Sequence, residues 1–131
     1  MKKVLFVCVE NAGRSRMAEA FANYYGDGKV EATSVGTMLS TEVNPVVVQV
    51  MREKGIDMSK NKPKLVNTRM VQEADVIIVM GCDAHGFCPA PLLDKVLDWK
   101  LEDPKGKPIE KVREIRNEIE RRVKKLVEEI A

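Results

Sequence analysis

"KKVLFVCVENAGRSRMAEAFANYYG", residues 2–26, holds three signals in sequence. Val4 to Val7 form a short apolar run of strand character. From Ser15 to Tyr25, the residues Met17, Ala18, Phe21, Tyr24 and Tyr25 recur at helical spacing, and Gly26 stands as the stop. Between the two lies "CVENAGRS", residues 8–15, with a thiol at one end and a guanidinium six positions later. A cysteine is therefore expected where a strand ends and a helix begins.

Further along, "KVEATSVG" (29–36) reads as a second short strand. "NPVVVQVMREKG" (44–55) has a β-branched run that would suit a strand, but its punctuation decides for a helix. Asn44 is a good N-cap, Pro45 suits the first helical position and Gly55 suits the residue past the end. "LVNTRMVQEA" (65–74) predicts another short helix. "DVIIVMG" (75–81) is apolar on both faces, as in the middle of a parallel sheet. "KVLDWKL" (95–101) alternates and predicts a last strand. After Pro108, Ile109 to Ile130 form a long amphipathic helix. Its stripe is Ile109, Val112, Ile115, Ile119, Val123, Leu126 and Ile130. Glu118 with Arg122 and Glu120 with Lys124 have the (i, i+4) spacing of supporting pairs on its other faces.

The order β-α-β-α-α-β-β-α predicts a small doubly wound, flavodoxin-like α/β domain. It would have about four parallel strands and helices on both faces. The 131 residues suit one domain, 1–131, around a single core. Ligands in such folds bind at the carboxyl ends of the strands. Cys8 falls at the end of the first strand, and Gly81 and Cys82 at the end of the "DVIIVM" strand, so both thiols are expected at one edge.

Composition narrows the partners. A 44% hydrophobic share is that of a globular chain, and no apolar run approaches a membrane span. "KKVLFVCV" has a basic start but no full apolar h-region or small-residue cleavage site, so a cytoplasmic location is expected. The charged share is 32% with a net charge of only +2 and both signs interspersed. That offers no basic stripe for nucleic acid and no membrane anchor. The three cysteines are an odd number, so in a reducing compartment they are buried, metal-bound or reactive.

The loop is an oxyanion cradle in outline. A strand-to-helix turn points successive backbone N–H groups inward, aided by the positive end of the helix dipole. Arg14 adds a planar fork of donors, and Gly13 permits a tight or left-handed turn. Such a field favours thiolate over thiol, so Cys8 would face a bound oxyanion poised for attack. Cys8 also suits a plain buried strand end, Ser15 a plain N-cap and Asp103 a turn before Pro104.

"CVENAGRS" resembles the Cys-(five residues)-Arg-Ser signature shared by low-molecular-weight protein tyrosine phosphatases and thioredoxin-coupled arsenate reductases. "RMAEAF" (16–21) is similar to the family's first helix, "SVGT" (34–37) to its second strand and "EDPKG" (102–106) to its acid loop. "MGCDAHGFCP" (80–89) followed by "DWKLEDPKGKP" (98–108) looks like the arsenate reductase branch. Nearly the whole chain is covered. The resemblance implies that Cys8 is the nucleophile and that Arg14 binds the oxyanion within a cradle of Glu10, Asn11, Ala12, Gly13 and Arg14. It implies that Ser15 hydrogen-bonds the thiolate, Asn11 orders the loop and Asp103 is the general acid. The sequence departs from the family at Glu10, where a carboxylate would oppose an anion unless it points to solvent, and at Arg16, where phosphatases often have proline. Of a potassium-site pattern found in some bacterial members, Asn11, Glu19 and Ser34 match, while Lys64 stands where a carboxylate is expected.

Within the family, a tyrosine phosphatase needs one cysteine and an aromatic platform. Here Lys105 and Gly106 follow the Asp-Pro, and no ring does. A reductase must pass two electrons to arsenate, and Cys82 and Cys88 supply two further thiols. The resemblance assigns Cys82 to attack at Cys8 and Cys88 to attack at Cys82, with thioredoxin or a similar donor reducing the last disulfide. This expectation is of an arsenate reductase acting on arsenate or phosphate oxyanions, as a monomer and without a cofactor. The alternatives are a phosphatase in which Cys82–Cys88 is only a protective or regulatory disulfide, and a non-catalytic oxyanion- or zinc-binding module. For zinc, Cys82, His85 and Cys88 make three ligands where a structural site takes four.

Overall fold

In the computed structural model, residues 2–8, 13–36, 44–58, 64–80, 96–99, 101–102, 104 and 106–130 are described. The elements are β1 (Lys2–Cys8), α1 (Arg14–Gly26), β2 (Val30–Gly36), α2 (Pro45–Arg52), α3 (Thr68–Glu73), β3 (Val76–Val79), β4 (Val96–Asp98) and α4 (Ile109–Ile130). The four strands form one parallel sheet in the order β2-β1-β3-β4, which is the expected α/β fold.

The central strands are apolar on both faces because helices cover both. On one face Val4, Phe6, Cys8, Ile78 and Met80 pack with α1, α2 and α4 through residues such as Phe21, Val47, Met51 and Ile119. On the other, Leu5, Val7, Ile77 and Val79 pack with Val35 and Ala74, flanked by Met70 and Val71 of α3. Alternate β1 side chains thus enter opposite cores, and each buried side chain contributes about 1.5–3 kcal/mol of transfer free energy.

Local signals placed several boundaries. Asn44 caps α2 by accepting from the Val46 N–H at 2.9 Å, and Pro45 is its first residue. Gly55 has φ +78, and the Ile56 N–H bonds back to the Met51 carbonyl at 3.1 Å, so the stop is a left-handed glycine turn. Asn67 caps α3 through the Met70 N–H at 2.9 Å. The bounds of α4 are those of the periodic pattern.

Other expectations need correction. β1 extends beyond Val4–Val7 at both ends, because Lys2 and Lys3 pair with Val30 and Glu31 and Cys8 pairs with Gly36. β4 is shorter than "KVLDWKL" and ends at Asp98. α1 begins one residue early, at Arg14, and continues through Gly26, so Asp27 takes the left-handed position with φ 43. Gly26 serves packing instead: a Cβ there would lie 2.8 Å from the Cβ of Val30. Tyr24 leaves the core stripe and is 64% exposed, whereas Tyr25 packs against the core.

Glu120 is directed inward rather than to Lys124. It accepts from the Tyr25 hydroxyl at 2.6 Å and pairs with Lys54 at 3.2 Å, while the Lys124 ammonium sits 4.8 Å from the Tyr25 ring centroid. The expected Glu118–Arg122 pair is present at 2.6 Å. α4 is also tied to α2. Glu53 receives Arg113 at 2.8 Å and Arg116 at 2.7 Å, and these bonds hold its carboxyl at about 2.

Candidate active site

Four strand ends meet at the carboxyl edge of the sheet. Cys8 ends β1 opposite Gly36, the last residue of β2. The Met80 N–H, just past β3, bonds to the Val7 carbonyl at 2.8 Å. The Trp99 N–H, just past β4, bonds to the Val79 carbonyl at 2.9 Å. Parallel register thus brings residues 8, 36, 80 and 99 to one edge, although they are far apart in the chain.

Cys8 is 5% exposed, and its Sγ shares a 2.8 Å hydrogen bond with the Ser15 Oγ. The bond joins the end of β1 to the first turn of α1. Ser15 is therefore not an N-cap: Gly13 occupies that position and makes no side-chain cap bond. One turn of helix directs the Ser15 hydroxyl back to the sulfur, where a hydroxyl proton can be given to a thiolate.

Arg14 is buried, and its guanidinium spans the edge. Its Nη1 donates to the Met80 carbonyl and, at 2.7 Å, to the Leu101 carbonyl. These two carbonyls belong to the segments that lead toward Cys82 and Asp103. A planar fork fixed at one nitrogen by two acceptors has a set orientation before any oxyanion arrives.

Gly13 differs from its expected role. Its φ is −143, so no left-handed turn is present. The position is closed by packing: a Cβ would lie 2.9 Å from Pro104 Cγ and 3.6 Å from Val47 Cγ2. The ring after Asp103 thus rests on the loop that holds Arg14. Gly13→Ala must displace a proline ring rather than a flexible side-chain tip. We expect a loss of about 1–3 kcal/mol, the range for overpacking, measured by urea unfolding. Displacing Pro104 also moves the Asp-Pro segment, so aryl phosphate cleavage should fall more than phosphate affinity. Parent-like stability and cleavage would mean that Pro104 is not held against the loop.

Sequence reasoning noted Arg16 only as a departure from the family. In the structure it is 2% exposed. Its Nη1 donates to Ser34 Oγ at 3.2 Å and to Glu19 Oε2 at 3.4 Å, while Glu19 Oε1 accepts from the Ser34 N–H at 2.8 Å. Burial lowers the Arg16 pKa, and the charges of Glu19 and Cys8 push it back up. Two residues of the potassium-site pattern, Glu19 and Ser34, therefore hold a guanidinium. A signal was present in the sequence, since Arg16 and Glu19 have (i, i+3) spacing on a helix.

The structure joins Cys8 to Ser15 and sets Arg14 against the Met80 and Leu101 carbonyls. The calls on Glu10, Asn11, Ala12, Cys82, His85, Cys88 and Asp103 lie outside the described residues. Among the described residues, no helix is long and apolar enough to cross a membrane.

The arrangement can bind a tetrahedral oxyanion and present a thiol to it. The family model described as low molecular weight phosphotyrosine protein phosphatase matches residues 3–131. A relative from Synechocystis, a glutaredoxin arsenate reductase, is 38% identical over 100% of both chains. An arsenate reductase from Brevibacillus brevis is 33% identical over 97% of this chain and 95% of its own. A solved structure of an arsenate reductase in the phosphate-binding state superposes with a TM-score of 0.89 at 37% identity, over 100% of both chains.

Proposed function

The chain belongs to the low-molecular-weight phosphotyrosine protein phosphatase family, and from that membership we propose that it is an arsenate reductase working through a Cys8–Cys82–Cys88 relay. Cys8 attacks arsenic in an arsenate held by Arg14 and the loop. An S–As bond forms and a hydroxyl leaves as water, protonated by Asp103. Ser15 donates to the Cys8 sulfur while it is anionic. Cys82 then attacks the Cys8 sulfur. The new S–S bond forms as the S–As electron pair moves to arsenic, which departs as arsenite. Cys88 attacks Cys82 next and releases Cys8 as a thiolate. An external thiol donor reduces Cys82–Cys88, which requires a reducing compartment.

Full-length similarity to arsenate reductases carries this reading. The geometry at Cys8 serves either enzyme, and the three-cysteine set then favours reduction over hydrolysis. The family description itself favours a second reading, a phosphatase with a cysteinyl-phosphate intermediate. That reaction needs only Cys8, Arg14 and Asp103.

The donor is proposed as a thioredoxin or a glutaredoxin; the Synechocystis relative has glutaredoxin in its name. The two functions separate in one assay: arsenate-dependent thiol oxidation with each donor, beside aryl phosphate hydrolysis. We expect arsenite release with at least one donor and only slow ester hydrolysis. Ester hydrolysis without arsenate turnover under either donor would leave the phosphatase reading in its place.

A further inference from the structure

We propose that Arg16 is a positioning residue for Cys8: a buried guanidinium, locked between α1 and β2, that supplies the thiol end of β1 with a resident positive charge. The inference rests on the reading of Cys8 as nucleophile, but not on which oxyanion it attacks.

The first ground is placement. Arg16 is among the largest fully buried side chains of the chain, and long charged side chains are almost never so buried without partners. Among its partners are Glu19 on its own helix and Ser34 on β2. Ser34 lies opposite Phe6 in the sheet, two residues before the Gly36–Cys8 pair. The guanidinium is thereby anchored at the base of the thiol loop. The second ground is electrostatic. The charge of Cys8 acts to raise the Arg16 pKa, so sulfur and guanidinium lie within electrostatic reach of each other. In a buried setting that attraction is weakly screened by salt.

The third ground is what the cluster lacks if its only task is to join α1 to β2. The Glu19 carboxylate already accepts from the Ser34 N–H at 2.8 Å, so helix and strand are joined without Arg16. Burying a further guanidinium there is costly, and replacing a buried ion pair by apolar residues often stabilises a protein. A functional gain at Cys8 accounts for keeping it. The charged residues that the described segments bring to this end of β1 are Arg14, Arg16 and Glu19 on α1 and Lys64, whose carbonyl accepts from the Gly36 N–H at 2.8 Å. β2 and β3 contribute Ser34, Gly36 and Met80, which are uncharged.

The test is the rate of Cys8 alkylation by iodoacetamide between pH 5 and 9, followed peptide by peptide, with folding checked by circular dichroism. It needs no turnover, so its result is independent of whether arsenate or a phosphate ester is the substrate. Arg16→Gln removes the charge. It should slow alkylation of Cys8 near neutral pH by about 3–10-fold. Arg16→Lys keeps the charge and should stay within about twofold of the parent. Glu19→Gln removes the neutralising partner and should alkylate faster than the parent. A role in packing alone predicts slowing, or no change, in all three. Arg16→Gln at the parent rate, or Arg16→Lys as slow as Arg16→Gln, would overturn the proposal. If Arg16→Gln does not fold, Glu19→Gln decides, and alkylation no faster than the parent in that variant would overturn the proposal.

Discussion

Cys82→Ser is expected to abolish arsenite release with a protein donor, whereas Cys88→Ser should allow one turnover and then halt. The difference follows from the order of bond changes. Without Cys82 nothing attacks the Cys8 sulfur, so the thiol–arsenic adduct persists until an added small thiol resolves it. Without Cys88 the first disulfide forms and stays, so a Cys8–Cys82 bridge should be visible by mass spectrometry after one equivalent of arsenite is released. Thiol exchange requires a free attacking thiolate at each step, so the loss in steady state should reach the detection limit in both variants. Aryl phosphate hydrolysis uses neither residue and should persist under reducing conditions. A double Cys82/Cys88 variant that reduced arsenate at the parent rate would defeat the relay.

Arg14→Met should lower kcat/KM for aryl phosphate cleavage by about 10²–10³-fold, the cost of removing one preorganised oxyanion donor. The structure adds a second consequence. The Met80 and Leu101 carbonyls both accept from Arg14 Nη1, so the variant leaves acceptors without that charged donor. The protein should lose about 1–3 kcal/mol of stability as well, measured by urea unfolding. Arg14→Lys keeps the charge but not the planar fork, and one ammonium cannot match the same acceptors and an oxyanion in a fixed plane. It should recover less than about tenfold of the loss. Parent-like cleavage in Arg14→Lys would show that charge alone suffices and that the fork geometry has no role.

Much of the site could be read before any fold was known. Cys8, Arg14 and Ser15 lie within eight residues, and a strand-to-helix turn holds them close whatever surrounds it. The Cys8–Ser15 bond at 2.8 Å is a local consequence of that turn. The same holds for the α2 cap and for the bounds of α4, which depend on neighbours within one helical turn. The misjudged residues depend on distant partners. Tyr24 and Tyr25 are equivalent by spacing, and only the path of α4 decides that Tyr25 meets Glu120 while Tyr24 faces water. Gly26 looked like a stop but is required small by Val30 across the next turn.

The sequence by itself determined the element order, the parallel doubly wound class and the thiol loop, because hydrophobic periodicity and capping chemistry act over a few residues. Tertiary structure alone decided which charges are buried beside that loop. Arg16 reaches Ser34 across 18 positions, Arg14 reaches Met80 across 66 and Leu101 across 87, and Pro104 closes on Gly13. No spacing rule reports such contacts, since they arise only when sheet order and register bring separate strand ends to one edge. Burial then makes each unpaired polar group costly enough to fix its partner.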